Sequence, residues 1–317
     1  MALIVMRRVL PLLIILFIVS AAVVPSCRPG TPLAEEQRLQ LIAEIKAFER
    51  ELGFHETENF QTYHPEVGAY HYLFFTSSTQ LPYSLDDPAL VAAIGTRDSV
   101  YIDYQKYDAY FYSIPSVAGK GTPVTESLMQ APLHRFIQVI FHEDWQEQID
   151  LPHGLEEPSA EIIGYAAALA FTREKYGQDS QVHRTLKKHF ENRLRESEVY
   201  REYYTRLEVL YAQYHEGKLS ELDTLIRKAR LLETMGNELY HIWGGRPDQL
   251  NNAFIAFQMT YLRHLPLMQE VFQATDFDLA GTIRIFLSLP EQGKSFDTLE
   301  QIKSVERDAV DYLSRNL

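Results

Sequence analysis

An α+β fold is predicted, with a small sheet in the N-terminal half of the chain and a mainly helical C-terminal half. Between Tyr63 and Pro115 the segments AYHYLFFTSS, DSVYIDY and DAYFYSI are aromatic and β-branched and are bounded by Pro, Gly, Ser and Asp, the texture of short strands. From about Pro132 onward apolar residues recur at three- and four-residue spacing, the texture of amphipathic helices. A hydrophobic content of 46% against 23% charged is enough to build a sizeable core.

The first 26 residues are expected to lie outside the fold. Arg7 and Arg8 precede the apolar run VLPLLIILFIVSAAVV and then PSC, the order of a secretory signal. The run is about 16 residues long, short of the ~20 that span a membrane. Cys27 is the one cysteine of the chain, so no internal disulfide is expected. Residues 27–35, including RPGTPLAE, read as a tether of Pro, Gly and polar residues. A single domain is expected over 36–317, a mixed part over 36–130 and a helical part over 131–317.

Within that domain Leu39, Ile42, Ile45, Phe48 and Leu52 mark an opening helix that ends near Gly53. The three aromatic segments follow as strands, then the loop PSVAGKGTPVTES. APLHRFIQVIFHEDWQEQI reads as one helix and EEPSAEIIGYAAALAFTREKYG as a second. Residues 180–235 read as one or two long charged helices whose charge runs face solvent. DQLNNAFIAFQMTYLRHLPLMQEVFQAT is a further helix, kinked or broken near Pro266. The formal net charge of -13 argues against a nucleic-acid partner.

Three His-Glu pairs occur, His55-Glu56, His142-Glu143 and His215-Glu216, and none has a histidine four residues after the first. The dipeptide alone is weak evidence among 11 histidines. His142-Glu143 differs by lying inside a strong helical pattern, where residues 142 and 146 share a face. Glu143 would stand beside them, placed to take a proton from metal-bound water. On the next helix Glu157 and Glu161 are one turn apart. Equally, Glu156, Glu157 and Glu161 are carboxylates that the start of a helix favours.

On these residues the chain resembles a family of bacterial predicted aminopeptidases, zinc metallopeptidases of the H-E-x-x-H plus Glu type. AEIKAFERELGF looks like the family's opening helix, and YDAYFYSIPSVAGKGTPVTES is similar to its Y…PAYSTLG segment. VIFHEDWQ stands where the family has an IFHELAHQ-like string, and LEEPSA where it has NESFA. LNNAFIAFQMTYLRHLP is similar to its late LNNA…TY…P helix. The likeness covers roughly residues 36–290. It implies metal ligands at His142 and Glu157, a general base at Glu143, and Glu161 orienting the His142 ring. It also puts Asn251, Asn252 and Tyr261 near the site, Tyr261 as a donor to the developing oxyanion. VPSC likewise resembles a bacterial lipobox, which implies a lipid on Cys27 and anchorage in the cell envelope.

The departures set the chemical question. Gln146 stands at the second ligand histidine, Glu156 at an asparagine, and Asp144-Trp145 at two small apolar residues. A Gln amide oxygen is neutral and hard, and suits calcium or manganese better than zinc. Gln146 would hold zinc weakly, or His153 would substitute for it, or the site has lost its metal. Two functions follow. One is a lipid-anchored metallopeptidase acting on peptide substrates; the other is a peptidase-fold lipoprotein that binds without chemistry.

Overall fold

The computed structural model describes residues 34–96, 99–116 and 121–315; Cys27 and the apolar run before it lie outside the described residues. Residues from Leu33 onward form one compact unit. Helix α1 (Glu35–Leu52) is followed by β1 (Tyr63–His64), β2 (Tyr70–Ser77), β3 (Val91–Ile94), β4 (Tyr107–Ile114) and β5 (Val124–Thr125). Then come α2 (Glu126–Gln130), α3 (Leu133–Gln146), α4 (His153–Tyr176), α5 (Gln181–His215), α6 (Glu221–Trp243), α7 (Asn252–Leu262), α8 (Leu265–Ala274), α9 (Leu279–Leu287) and α10 (Leu299–Ser314). The fold is α+β, a small sheet in the first half and helices in the second. Among the described residues no helix is long and apolar enough to cross a membrane.

The sheet is antiparallel, in the order β3-β2-β4, and β1 pairs with β5 in a separate parallel ribbon. Tyr72, Phe74, Tyr110 and Tyr112 alternate along β2 and β4 onto one face, as period-two side chains must. Tyr110 and Tyr112 meet Phe257 on α7 at centroid distances of 5.1 and 4.6 Å. Such aromatic pairs hold the sheet to the helical layer.

Two of the three expected strands form. The described part of the third, residues 99–104, does not, and β3 forms from the short segment VAAI, which pairs with β2 from Tyr72↔Ile94 to Phe75↔Val91. The outer edge of β4 carries side-chain hydrogen bonds in place of a further strand. Phe111 N donates to Gln249 Oε1 at 2.9 Å, and Asn251 Nδ2 donates to the Ala109 carbonyl at 2.8 Å. Residues 180–235 form two helices, α5 and α6. The helix expected through Pro266 is broken: α7 stops at Leu262 and α8 restarts with Pro266 in its first turn, where a missing N–H costs nothing.

Asp144 and Trp145 fasten α3 to its neighbours. Asp144, 0% exposed, pairs with Lys46 of α1 at 2.5 Å and accepts from Thr57 Oγ1 at 2.7 Å. Trp145 is fully buried, donates its Nε1 to Ser159 of α4 at 2.8 Å, and packs on Phe54 and Phe286.

Candidate functional site

His142, Glu143 and Gln146 occupy the last turn of α3, and Glu157 and Glu161 the early turns of α4. The two helices pack closely because Gly164 of α4 has no side chain: a Cβ there would stand 3.2 Å from the His142 Cβ and 3.3 Å from its Cα. That approach brings His142 Nε2 to 3.1 Å from Glu157 Oε2. All five polar residues are buried, none more than 9% exposed.

Their electrostatics follow from that burial. Burial works against the charged imidazole of His142, but the hydrogen bond and charge of Glu157, with the charges of Glu143 and Glu161, raise its pKa to about 9. Burial raises Glu157, and the His142 hydrogen bond and charge outweigh it, so this carboxyl titrates below its usual range. Glu143 is raised by burial, against the pull of His142, to about 7.

Glu161 is near enough to raise His142, yet its hydrogen bond runs elsewhere. Arg193 Nη2 of α5 donates to Glu161 Oε1 at 3.3 Å, and Nη1 donates to Glu196 Oε2 at 2.9 Å and Gln258 Oε1 at 3.0 Å. The orienting bond expected from Glu161 to the His142 ring is therefore not formed, and His142 Nδ1 has no hydrogen-bond partner. Arg193 competes successfully because a guanidinium offers charge and several donors at once.

His153 opens α4 one turn before Glu157. Its ring Nδ1 is 2.5 Å from Asp86 Oδ1, and its backbone N–H donates to Asp86 Oδ2 at 3.0 Å. Asp86 thus fixes the ring, and among the described residues no three His, Cys, Asp or Glu side chains form a metal-binding group. His153 is not assembled with His142 and Glu157 as a third donor.

Tyr261 lies where its hydroxyl is raised by burial and by the charges of Glu157, Tyr112, Glu143 and Glu161. Its ring takes the Arg193 guanidinium at 5.7 Å. Asn251 and Asn252 stand at the other end of α7, about 14 Å along the helix by its rise per residue. They serve structure there: Asn251 caps α7 by accepting from Phe254 N at 3.0 Å, and Asn252 Nδ2 donates to the Gln80 carbonyl at 2.8 Å.

Several residues of the cluster escaped the sequence. Arg193 and Glu196 were hidden in a charge run expected to face solvent, yet Glu196 is 8% exposed and the Arg193 side chain 14%. Tyr112, raised to about 12 by burial against the nearby charge of Arg135, was read only as a strand residue. Gly164 carried no signal beyond being a glycine inside a helix, which itself calls for a packing reason.

Comparison with known proteins adds no relative: no family model, no curated protein and no solved structure matches the chain. The aminopeptidase likeness rests on the quoted residues alone.

Proposed function

We propose that the protein is a metallopeptidase-type protein of the cell envelope, exported and lipid-anchored through Cys27, whose His142–Glu157 centre acts on short peptides with the help of a weakly held zinc ion. The supporting observation is a group of four buried atoms without a protein partner around one ion pair: His142 Nδ1, Glu143 Oε2, Gln146 Nε2 and Glu161 Oε2. Unsatisfied buried polar atoms are rare in native folds, and four together favour a site that takes a polar ligand.

The donor set fits a weakly bound divalent ion. Two ligands on one tetrahedral ion, with bonds of about 2.0–2.2 Å, stand roughly 3.3 Å apart. The separation of 3.1 Å between His142 Nε2 and Glu157 Oε2 is close to that. Gln146 supplies only a neutral amide, so affinity falls short of a three-ligand zinc site. When bound, the ion would polarise a peptide carbonyl and make its water more acidic.

The chain's own residues supply the rest. Glu143, with a pKa of about 7, would accept a proton from water and return it to the leaving amine near neutral pH. The Tyr261 hydroxyl, kept protonated by burial and the surrounding carboxylates, would donate to the developing oxyanion. Arg193, held by Glu161, Glu196 and Gln258, would fix the Tyr261 ring from one side.

Zinc titration calorimetry and a peptide panel on wild type, Gln146→His and Glu143→Gln test this reading. Gln146→His is expected to tighten zinc binding by at least about tenfold and to raise hydrolysis. Glu143→Gln is expected to keep the metal and lose hydrolysis. A second reading, binding of peptides without chemistry, is favoured by His142 Nε2 being already bonded to Glu157. It prevails if none of the three forms binds zinc or cuts any peptide. Separately, Cys27→Ser is expected to release the protein from the membrane fraction; unchanged membrane retention and processing would remove the lipoprotein assignment.

A further inference from the structure

The aromatic stretch YIDYQKY (101–107) has the composition of a strand, yet only its last residue joins one. Tyr107 is explained by packing, its ring edge-on to Phe75 at 6.0 Å. Tyr101 and Tyr104 are not: they are 90% and 62% exposed. Both line an open depression of about 970 Å³ between this loop and the segment leading into α7. That volume is in the range of small-molecule sites, roughly 300–1,000 Å³.

The opposite wall is rigid. Gln249 exchanges two hydrogen bonds with Phe111, at 2.9 and 3.2 Å, and Asn251 bonds to the Ala109 carbonyl at 2.8 Å, so both amides are tied to β4. Asp248 and Gln105 complete the polar lining with exposed side chains, and among the described residues no Lys or Arg lines the cavity. This lining disfavours an anionic ligand, because it carries two carboxylates, Asp248 and an Asp103 already paired with Lys106 at 3.5 Å.

We propose that this cleft binds a neutral saccharide. Pyranose rings present flat C–H faces that stack on aromatic rings, and hydroxyls that hydrogen-bond to carboxylates and amides. Tyr101 and Tyr104 supply exposed rings with a polar tip, and Asp248 and Gln105 supply acceptors and donors. A protein partner would more often meet a patch with a fully apolar centre than one lined by acids and amides. The proposal is independent of the His142–Glu157 centre and of any peptide chemistry.

The experiment is titration of the purified protein with two soluble series, β-1,4-linked N-acetylglucosamine oligomers and maltooligosaccharides, read by calorimetry and ligand-observed NMR. At least one series is expected to bind with a Kd of about 1 mM or tighter. Tyr101→Ala and Tyr104→Ala are each expected to weaken it about tenfold or more, with unchanged circular dichroism because both side chains are exposed. Tyr240→Ala, an exposed tyrosine of α6, is expected to bind as wild type. Failure of both series to bind wild type overturns the proposal, as does binding that the two loop variants leave unchanged or that Tyr240→Ala reduces equally.

Discussion

Two buried polar clusters in this molecule use similar residues and end in opposite states. In the first, Lys228 Nζ of α6 donates to the Ser78 carbonyl at 2.8 Å and to Asp108 Oδ2 at 2.5 Å, and Asn252 N donates to the same carboxylate at 2.8 Å. Tyr211 OH closes the group by donating to Asn252 Oδ1 at 2.8 Å. None of these side chains leaves a buried atom unpartnered. In the second, around His142 and Glu157, four such atoms remain. Buried charge by itself therefore does not set a cluster apart; what distinguishes the second is that four unpartnered atoms lie together, where others such as Arg38 Nη1 and Tyr200 OH are scattered. The first cluster ties α5, α6 and α7 to the sheet, while the second leaves bonding capacity that the protein's own groups do not use.

The largest expected contrast comes from cutting the satisfied cluster. Lys228→Met leaves Asp108 buried without its cation and is expected to destabilise by ~3–5 kcal/mol in urea unfolding. A loss below about 1 kcal/mol would show that the cluster is not the structural one.

The second contrast is in pH. Protonated His142 contributes stability that is fully present below its ordinary value of 6.5 and is lost as pH rises through about 9. Glu157 contributes in the opposite sense, with stability present above the ordinary carboxylate range and lost as pH falls below it. Melting temperature measured above about 7, the range in which Glu143 titrates, is expected to fall towards 9 in metal-free wild type and to stay level in His142→Gln. Equal slopes in the two would mean that His142 is not held protonated.

Gly154→Ala tests the frame that carries the site. A Cβ at 154 would meet Glu306 Oε1 at 2.1 Å, so the change is expected to cost ~1–3 kcal/mol by overpacking. The smallest effect is expected for Gln146→Leu, a change of less than about 1 kcal/mol, because its Nε2 has no partner to lose. A loss of several kcal/mol there would turn the second cluster into a structural one and erase the comparison.

What the sequence revealed and concealed divides by range. The i, i+4 relations of His142 with Gln146 and of Glu157 with Glu161 are local, and the helical pattern exposed them. The aromatic alternation of β2 and β4 was equally readable. DSVYIDY misled because strand composition is only a request for a neighbour, and β4 has its outer edge bonded by Gln249 and Asn251 instead of by a strand. Arg193, Asp86 and Lys294 were out of reach for a related reason. Each meets its partner across 32, 67 and 138 residues, and such pairings leave no periodicity to read. In the charged helix α5 the inward-facing Arg193 and Glu196 look like their solvated neighbours, since only tertiary partners tell them apart.

The start of α4 is finished by residues made much later. Its N-cap, Pro152, has no side chain able to cap. Lys294 reaches back to the fully buried Glu156 at 2.5 Å. Glu306 of α10, anchored by Tyr83 OH at 2.7 Å and His264 Nε2 at 2.9 Å, brings its carboxylate against Gly154. A chain emerging from the ribosome in order makes α3 and α4 long before α10 exists. Until then Glu156 lacks the Lys294 cation, and Asp86 is the carboxylate already at hand for the first turn of α4. Closure of such distant contacts is a late and slow event in folding. The Glu157 turn would thus settle only once α10 has emerged, which keeps the centre unformed on incomplete chains.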